Sequence, residues 1–533
     1  HLASYIVRSQ PRIRTMLDGW RLSGNKETFL SQLQKNQEVK NIVWSETPWL
    51  LEATTEAEQQ ARLGTLFDLN RLSGDRMTAL TQLKNLQDTE GAWSWYKGMP
   101  GNRSLTTYIT ELLVRIPLMT KEAVPAELLD MQQSAFGYLH QEASKEYDRM
   151  REIEKKGGKN LVPSGEITTY LYLTALSGEK VPAAHAAAYR YFLEKVRLNL
   201  PAGTMACKAQ SAIILQKAGR TAEAKAFIAS LKEHLVQTEE TGASFAFLDR
   251  PYNWGMMPVP TQVDAMEALL LVEGDTPLVE EMKLWLLKQK QTQSWNSPVA
   301  TADAVYALLC QGSDLLQNRG DVRITLGKKV LETPAPARTT VPGLGYLKET
   351  FTQGSPELRA TSVTVEKRDA GIAWGAVYAQ YLSPLADVKQ QGNGLEVEKN
   401  LYVERTLAGG QVQRQPVTAT TRLAVGDKVV SCLTLRVSRA MDFVQLQDRR
   451  GACFEPTVSL SGYSWDNGLN YYREVEDAST NFFFDRLGKG VYLVEHSDRV
   501  TRTGVYEAGL ATLQCAYAAE FAAHSSSMTV TVK

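Results

Sequence analysis

Two glutamine-rich segments that end in tryptophan constrain the fold of this chain more than any other feature. Residues 82–95 read QLKNLQDTEGAWSW and residues 288–295 read KQKQTQSW, and each leads into a stretch with helical spacing. In the first copy, Gln87, Gly91 and Trp93 are typical of a turn in which glutamine hydrogen-bonds backbone groups at a helix end while the indole packs across neighbouring helices. This repetition predicts stacked or ring-closed helix pairs, because one hairpin cannot bury its apolar face alone.

Helical spacing of apolar residues continues to about residue 315. A capping box at Thr55 and Glu58 precedes one helix, and Gly74 and Pro117 are expected to end two others. Further helices are predicted at residues 167–176, 183–200, 205–217, 221–235, 262–272, 278–288 and 299–309. Roughly a dozen helices with short connections give about six hairpins, so we interpret residues 1–317 as an α/α toroid.

The hydrophobic period changes to two after residue 320. Val322, Ile324 and Leu326 share one strand face, and a proline-rich turn follows at residues 333–342. Alternation of this kind between turn signals is typical of short β-strands. We therefore predict a small β module in residues 318–392.

A second β region follows the linker near Gln390. Half-buried strands are read from Leu395, Val397, Val429, Ser431, Leu433, Leu435 and Val437. Because alternate side chains lie on opposite faces of a sheet, this pattern predicts a β-sandwich in residues 393–533. The expected fold class is a multidomain α and β protein with an α/α toroid, a small β module and a C-terminal β-sandwich.

The charge balance excludes some partners. Lysine plus arginine and aspartate plus glutamate both number 59, so no long-range field favours nucleic acid or an anionic membrane. The sequence has no uninterrupted apolar run of about eighteen residues and no signal-peptide pattern at its start. Since helical spacing begins at His1, we expect the chain to start partway through a longer polypeptide.

The cysteines are odd in number and widely spaced, and no C-x-x-C pair occurs. They are Cys207, Cys310, Cys432, Cys453 and Cys515. A bridge between Cys432 and Cys453 is one alternative, but buried free thiols are favoured over a disulfide framework or a zinc site. No metal and no other cofactor is expected.

Sequence motifs for catalysis are missing. No D-D-x-x-D, D-x-D-D, H-E-x-x-H or G-x-S-x-G pattern occurs, which argues against a terpenoid cyclase, a zinc protease or a serine hydrolase. Asp249, Asp264 and Asp303 lie near predicted helix starts, where we expect capping or core hydrogen bonding. A sugar-active enzyme with two carboxylates across a cleft stays open as a minor alternative, and a non-enzyme is favoured.

Aromatic residues gather at the predicted hairpin turns. They are Trp93, Trp95, Tyr96, Tyr252, Trp254 and Trp295. Their placement near one end of the helical domain predicts a contact between domains. The alternative is a patch that binds a peptide or a glycan.

Several segments resemble the C-terminal part of bacterial α2-macroglobulin-like proteins. They are 46–50 (ETPWL), 66–72 (LFDLNRL), 87–95, 292–309, 425–429 (VGDKV), 443–456 and 517–525 (YAAEFAAHS). The resemblance implies a thioester-type toroid, the return half of a CUB-like β module and a terminal macroglobulin-like sandwich. It also implies a protease trap of the periplasm or outer cell envelope, closing by conformational change when a protease cleaves an upstream bait segment.

The same resemblance implies the partners. They are target proteases and the upstream macroglobulin-like domains of the same polypeptide, with membrane association only through an anchor on the parent. The family's internal thioester forms in a Cys-x-Glu-Gln motif on the first helix of the toroid, but no cysteine here precedes Cys207. Either the motif lies upstream of residue 1 or this member has lost it.

A loop of the terminal domain shields the thioester in this family, with the sequence Met-Tyr-Ala-Pro-Glu. Residues 516–520 read AYAAE, so Tyr517 and Glu520 match. Alanine replaces the methionine and the proline, so we expect a less apolar and less rigid loop. The alternative is that Tyr517 is a core residue of an edge strand.

Overall fold

The computed structural model describes residues 69–120, 125–239, 241–246, 257–292, 295, 297–313, 321–333, 349–369, 373, 375, 377, 383–406, 410–518 and 520–533. These residues form two compact units, the first holding 69–287 and 295–373 and the second holding 288–292 and 374–533. Several predicted features lie outside the described residues, namely Thr55, Glu58, Asp249, Tyr252, Trp254, segment 46–50 and most of 66–72 and 333–342.

The first unit is helical up to residue 310. Its α-helices are α1 Leu69–Leu86, α2 Arg103–Thr120, α3 Ala126–Lys155, α4 Gly165–Ser177, α5 Ala186–Lys195, α6 Asn199–Ala202, α7 Met205–Lys217, α8 Thr221–Glu233, α9 Pro258–Glu273, α10 Thr276–Thr292 and α11 Pro298–Cys310. The bounds of α7 agree with the predicted helix 205–217, and those of α4, α9, α10 and α11 enclose the predicted segments.

Capping residues explain several of these bounds. Ser164, Thr204 and Ser297 lie just before α4, α7 and α11, and each hydroxyl accepts a hydrogen bond from a backbone N–H of the first turn. Gly178 and Gly274 end α4 and α9 in the left-handed conformation, which glycine adopts without steric cost. Local sequence therefore determines where these helices begin and end.

Two of the predicted helix ends are wrong. Gly74 lies inside α1, and Pro117 lies in the last turn of α2, which continues to Thr120. A glycine inside a helix costs only about 1 kcal/mol relative to alanine. Pro117 has no backbone N–H, so α2 loses one hydrogen bond there. The loss is tolerated because the proline lies in the last turn, where the helix is about to end.

The predicted continuous helix 183–200 is also wrong. It is divided into α5, α6 and two single 3₁₀ turns, Ala183–His185 and Val196–Leu198. The buried side chain of Asn199 donates hydrogen bonds to Thr168 Oγ1 at 3.1 Å and Ser211 Oγ at 3.0 Å. These tertiary bonds hold the chain at this point, and apolar spacing does not reveal them.

Alternate helices of the first unit contact one another in series. Helix α2 contacts α4, α4 contacts α7, α7 contacts α9 and α9 contacts α11. Most of their buried side chains belong to one core, which includes Tyr170, Ile213, Met266 and Ala304. The intervening helices α3 and α8 pack against members of this series. The series therefore forms the centre of the unit.

Two small sheets accompany these helices. One is the hairpin of β1 Leu235–Thr238 and β2 Gly242–Phe245, which the sequence did not predict. The other has the order β4-β3-β5 and is antiparallel, with β3 Val322–Leu326, β4 Lys329–Thr333 and β5 Val363–Lys367. The strand predicted at 322–326 is therefore confirmed.

The second unit is made of antiparallel sheets. Its strands are β6 Gln391–Gly392, β7 Leu395–Thr406, β8 Val412–Pro416, β9 Arg422–Leu423, β10 Lys428–Val437, β11 Met441–Arg449, β12 Phe454–Pro456, β13 Gly462–Asp466, β14 Leu469–Val475, β15 Ser479–Leu487, β16 Gly490–Val500, β17 Gly504–Glu507, β18 Ala511–Cys515, β19 Ala522–His524 and β20 Thr529–Val532. A five-stranded sheet has the order β12-β16-β10-β7-β8, and a seven-stranded sheet has the order β13-β14-β15-β11-β18-β19-β6. In a third sheet, β17-β20-β9, the β20 and β9 strands are parallel.

Side chains from the two larger sheets form one core. Leu433 and Leu435 of β10 lie in the same cluster as Leu446 of β11 and Phe482 of β15. The alternation predicted for β10 is confirmed, because Leu433, Leu435 and Val437 are buried while Arg436 is exposed. All five cysteines are free thiols, but only Cys453 and Cys515 are buried, whereas Cys207, Cys310 and Cys432 are partly exposed.

Candidate functional site

The loop between β18 and β19 carries the two residues expected to shield a thioester. Backbone hydrogen bonds fold it back on itself, from Cys515 N to Phe521 O at 2.9 Å and from Phe521 N to Ala518 O at 2.9 Å. A third bond, from Ala516 N to Phe443 O at 2.8 Å, ties it to β11. The loop is therefore fixed by strand-like bonds, although it lacks the proline of the family pattern.

Tyr517 is half-buried at the edge of the β core. Its ring lies 4.8 Å from the Phe443 ring, centroid to centroid, with an angle of 59° between the planes. The backbone oxygen of Glu520 accepts a hydrogen bond from Asn393 Nδ2 at 2.8 Å. Next to it, the Phe521 ring lies 4.1 Å below the Arg439 guanidinium. The structure thus gives Tyr517 a packed position against Phe443.

The aromatic residues of the first unit occupy different environments. Trp93 is buried in a small core with Leu113 and Met131, whereas Trp295 packs against the main helical core. Trp95 and Tyr96 are 65% and 72% exposed. The structure therefore brings Trp93 and Trp295 into separate cores and leaves Trp95 and Tyr96 at the surface.

The predicted glutamine turn is confirmed. Gln87 Nε2 donates hydrogen bonds to Gly91 O and Met131 O, both at 2.9 Å. The indole of Trp93 donates from Nε1 to Leu83 O at 2.9 Å. Gly91 has φ +91°, and an added Cβ would lie 2.0 Å from Ser134 O. Only glycine fits this close approach of the turn to α3.

A buried ionic cluster lies where the central helices meet. Arg115 of α2, only 2% exposed, donates to Asp303 of α11 at 2.6 Å. Its other terminal nitrogen is 2.8 Å from Glu111 and 3.3 Å from Asp264. Glu267 lies 3.8 Å from the same nitrogen. One guanidinium therefore joins α2, α9 and α11 through four carboxylates.

Neutral side chains complete this Arg115 cluster. Tyr172 and Tyr306 donate hydrogen bonds to the two carboxylate oxygens of Glu267. Gln210 Nε2 donates to Asp264 Oδ2 at 2.9 Å. Because α4 carries Tyr172 and α7 carries Gln210, every helix of the central series contributes to the cluster.

Burial controls the protonation of these acids. It raises the pKa of Glu111 to about 7, although the ion pair with Arg115 opposes the shift. Burial also raises the pKa of Asp264 and Asp303 against the attraction of Arg115. Arg115 does not offset the desolvation of Glu111, Asp264 and Asp303, so these three acids retain protons that exposed acids would lose.

Of the two roles expected of Asp264 and Asp303, core hydrogen bonding is confirmed and capping is not. Ser297 caps α11, accepting from Ala300 N at 3.1 Å, and Met257 occupies the cap position of α9. Both aspartates lie further along their helices and bind the Arg115 cluster. Sequence analysis also missed Glu111 and Arg115, whose only local signal is an i, i+4 acid–base pair in a largely apolar helix.

A second buried ionic network lies between the two larger β sheets. Asp448 of β11 is 2.6 Å from Lys399 Nζ and 2.7 Å from His496 Nε2. Burial favours the neutral acid, but Lys399 and His496 outweigh it and lower the pKa of Asp448 to about 2. Asp498, 3.7 Å from Arg450, continues the network on β16.

We expect the β unit to lose stability at acid pH through Asp448. The folded pKa of about 2 lies below the ordinary value of 3.8, so this contribution is complete above about pH 4 and disappears as the pH falls through 2. The size is about 2 kcal/mol. Urea unfolding of Asp448→Asn should show a smaller loss across this window, with the exposed Asp466→Asn as control. Parallel pH profiles of Asp448→Asn and the unsubstituted protein would contradict the expectation.

Three other features were possible in this chain, namely a metal site, a membrane-spanning helix and a thioester-like motif, and the described residues bear on each. There, no three His, Cys, Asp or Glu side chains are grouped so as to hold a metal ion. None of the described helices combines the length and apolar character that crossing a membrane requires.

The sequence has one Cys-x-x-Gln spacing, at Cys207 and Gln210, where alanine stands in place of the motif's glutamate. The amide of Gln210 is already engaged by Asp264 and Thr169.

Comparison with known proteins identifies one domain. Residues 394–520 match the family described as the bacterial alpha-2-macroglobulin MG10 domain. This match begins just before β7 and ends at Glu520 of the loop described above. No curated protein matches the chain.

Solved structures of low identity also match. Trypsin-activated alpha-2-macroglobulin from Escherichia coli is 13% identical, with a TM-score of 0.38 over 85% of this chain and 29% of that chain. Native Escherichia coli alpha-2-macroglobulin from domain MG7 to the C-terminus is 13% identical, with a TM-score of 0.30 over 94% and 71%. The Salmonella protein reacted with methylamine is 13% identical, with a TM-score of 0.29 over 84% and 27%. The chain thus spans less than a third of the first of these relatives.

Proposed function

Because this chain is a bacterial alpha-2-macroglobulin-like protein, with the MG10 domain in residues 394–520, we propose that it is the non-enzymatic C-terminal portion of a protease trap. The match to the MG10 family is the observation that carries this proposal. The trap acts by conformational change, and its target proteases meet the whole polypeptide, including upstream macroglobulin-like domains. The site of action is the periplasm or the outer cell envelope.

The domain arrangement that we propose follows the sequence boundaries. Residues 1–317 form an α/α toroid of the thioester-domain type, which the serial contacts of α2, α4, α7, α9 and α11 support. The ion pair between Arg115 and Asp303 supports ring closure, because it joins the first and last helices of that series. Residues 318–392 form the return half of a CUB-like module, and residues 393–533 form the terminal sandwich.

The loop at residues 516–520 is the proposed shield. Its backbone bonds to β11 and its own turn support a fixed position for Tyr517, which a shield requires if it is to exclude water from an electrophile. The printed sequence holds no Cys-x-Glu-Gln motif. The trap therefore takes one of two forms, covalent with a thioester upstream of residue 1, or non-covalent by enclosure.

Methylamine treatment of the intact polypeptide tests the two forms. Amine opens an internal thioester with a fixed mass addition and frees one thiol, so an adduct would indicate the covalent trap. In that case Tyr517→Ala should speed thioester loss, whereas Tyr463→Ala, an exposed tyrosine of the same domain, should not. No adduct, together with retained protease inhibition, would indicate enclosure.

The isolated chain provides the decisive control. Residues 1–533 alone should not inhibit any protease, because the bait segment lies upstream in our proposal. Inhibition of a protease by this chain alone, or no inhibition by the intact polypeptide, would overturn the trap.

A second candidate is a module that binds a peptide or a glycan. The exposure of Trp95 and Tyr96 favours it, because exposed aromatic rings stack on such ligands. This function would be favoured over the trap by two results together. The chain binds a peptide or a glycan and loses that binding in Trp95→Ala, and the intact polypeptide shows no inhibitory activity. A toroid enzyme acting on sugars or terpenoids is less favoured, because Asp264 and Asp303 are committed to Arg115.

A further inference from the structure

A small cavity opens between the two larger sheets of the β unit. It has a volume of about 170 Å³ and lies where β12 and β16 of one sheet face β14 and β15 of the other. The residues around it include Thr457, Arg473, Val475, Thr480, His496 and Ser497. A water molecule occupies about 30 Å³ in the liquid, so the cavity has room for a polyatomic group.

Arg473 is the cation of this cavity. In the register of β14 it pairs with Phe482, whose buried ring belongs to the core between the sheets, so Arg473 lies on the inner face. Its Nε is buried and has no hydrogen-bond partner. The side chain of Arg473 forms no hydrogen bond or ion pair with any residue that the structure describes. An unpaired guanidinium at a partly buried site costs free energy that a bound anion would recover.

Hydroxyl groups surround the same space. Thr480 Oγ1 accepts a hydrogen bond from Arg450 Nη2, so its own proton is available to another acceptor. Thr457 Oγ1 donates to Ser497 O at 2.8 Å and lies 2.6 Å from Ser497 Oγ, so these two hydroxyls are already hydrogen-bonded. Among the described residues, Arg450 Nη1 is buried without a hydrogen-bond partner. The donors left near the cavity are therefore the Thr480 hydroxyl and arginine nitrogens.

The neighbouring acids are already paired. Asp448 binds Lys399 and His496, and Asp498 lies 3.7 Å from Arg450. Glu495 also borders the cavity, but Arg414 Nη1 donates to its two carboxylate oxygens at 3.0 and 3.1 Å. These pairs leave Arg473 as the surplus charge among the described groups that border the cavity.

We propose that this cavity is a binding site for one oxyanion group, a carboxylate or a phosphate. Arg473 supplies the charge and the planar pair of donors that both groups accept, and the hydroxyl of Thr480 supplies a further donor. The site is independent of the proposed protease trap, because it lies within the β unit and uses none of the residues of the loop at 516–520.

Calorimetric titration of the full chain with inorganic phosphate and, separately, with acetate at constant ionic strength tests the proposal. Saturable binding of phosphate alone would indicate a phosphate-type ligand, and saturable binding of acetate would indicate a carboxylate. Arg473→Met should weaken binding about tenfold or more, since charge-assisted hydrogen bonds contribute more than neutral ones. Arg502→Met, an exposed arginine of the same unit, should leave affinity within about twofold.

Two outcomes would overturn the site. One is the absence of saturable binding for both anions, and the other is equal affinity in Arg473→Met and the unsubstituted chain. Thr480→Val tests the site even if Arg473→Met misfolds, because it keeps the Arg473 charge and removes one donor. It should weaken binding less than Arg473→Met does. Its melting temperature is compared with that of Arg502→Met to verify folding.

Discussion

Replacing Arg115 with methionine should destabilise the helical unit by about 3–5 kcal/mol, because the change leaves four buried carboxylates without their shared cation. Methionine keeps much of the side-chain volume, so the loss reports charge rather than a cavity. Urea unfolding followed by the helical circular dichroism signal measures it. The loss should be smaller near pH 4 than at pH 8, because Glu111, Asp264 and Asp303, whose pKa values burial already raises, can then take up protons.

The matched control is Arg151→Met in α3. Arg151 is exposed and pairs with Glu154 at 2.9 Å, so its replacement should leave the free energy of unfolding nearly unchanged. If Arg115→Met and Arg151→Met unfold at the same urea concentration, the cluster does not hold α2, α9 and α11 together. A loss that is independent of pH would mean that packing, and not charge, explains the effect.

Replacing Gly91 with alanine should destabilise the same unit by about 2–5 kcal/mol. The added Cβ would lie 2.0 Å from Ser134 O, which belongs to a helix backbone and cannot rotate away. The left-handed φ of +91° adds strain of about 1–3 kcal/mol for any residue with a Cβ. The turn must therefore move away from α3, which breaks the hydrogen bonds of Gln87 to Gly91 O and Met131 O.

Gly98→Ala separates the two causes. Gly98 has φ +88°, but an added Cβ would have nothing within 4 Å. It should show the strain alone, so the thermal midpoint should fall further for Gly91→Ala than for Gly98→Ala. Equal shifts in melting temperature would mean that backbone strain, and not the approach to Ser134, makes glycine necessary at position 91.

Much of the local structure was predictable from the sequence, because it depends on residues that are close together in the chain. Helix α7 follows from its apolar spacing and the Thr204 cap, and residues 431–437 of β10 follow from alternation of buried and partly or fully exposed positions. The turn at Gln87 was predictable for the same reason, because glutamine, glycine and tryptophan at this spacing after a helix are typical of such a turn. The helix ends predicted at Gly74 and Pro117 were wrong because a glycine or proline near a helix end destabilises the helix less than the packing of the whole helix stabilises it.

The candidate sites depended on residues far apart in the chain. Arg115 and Asp303 are separated by 188 positions, and no pattern around either residue identifies the other. Asp264 and Asp303 looked like helix caps because their distance from a helix start is a local property, while their ion pairs are not. The cavity at Arg473 is likewise formed by strands from both sheets.

The sequence by itself determined the helical and β halves, the bounds of several helices, the glutamine turn and the resemblance that the MG10 match supports. These depend on period, caps and motifs, which act over a few residues. Only the tertiary structure decided that one arginine contacts three helices, that Tyr517 packs on Phe443 and that the Arg473 side chain has no partner among the described residues. The physical reason is that contacts between segments distant in the chain determine which groups are buried and which charges pair. Desolvation in turn makes the free energy of those pairs large.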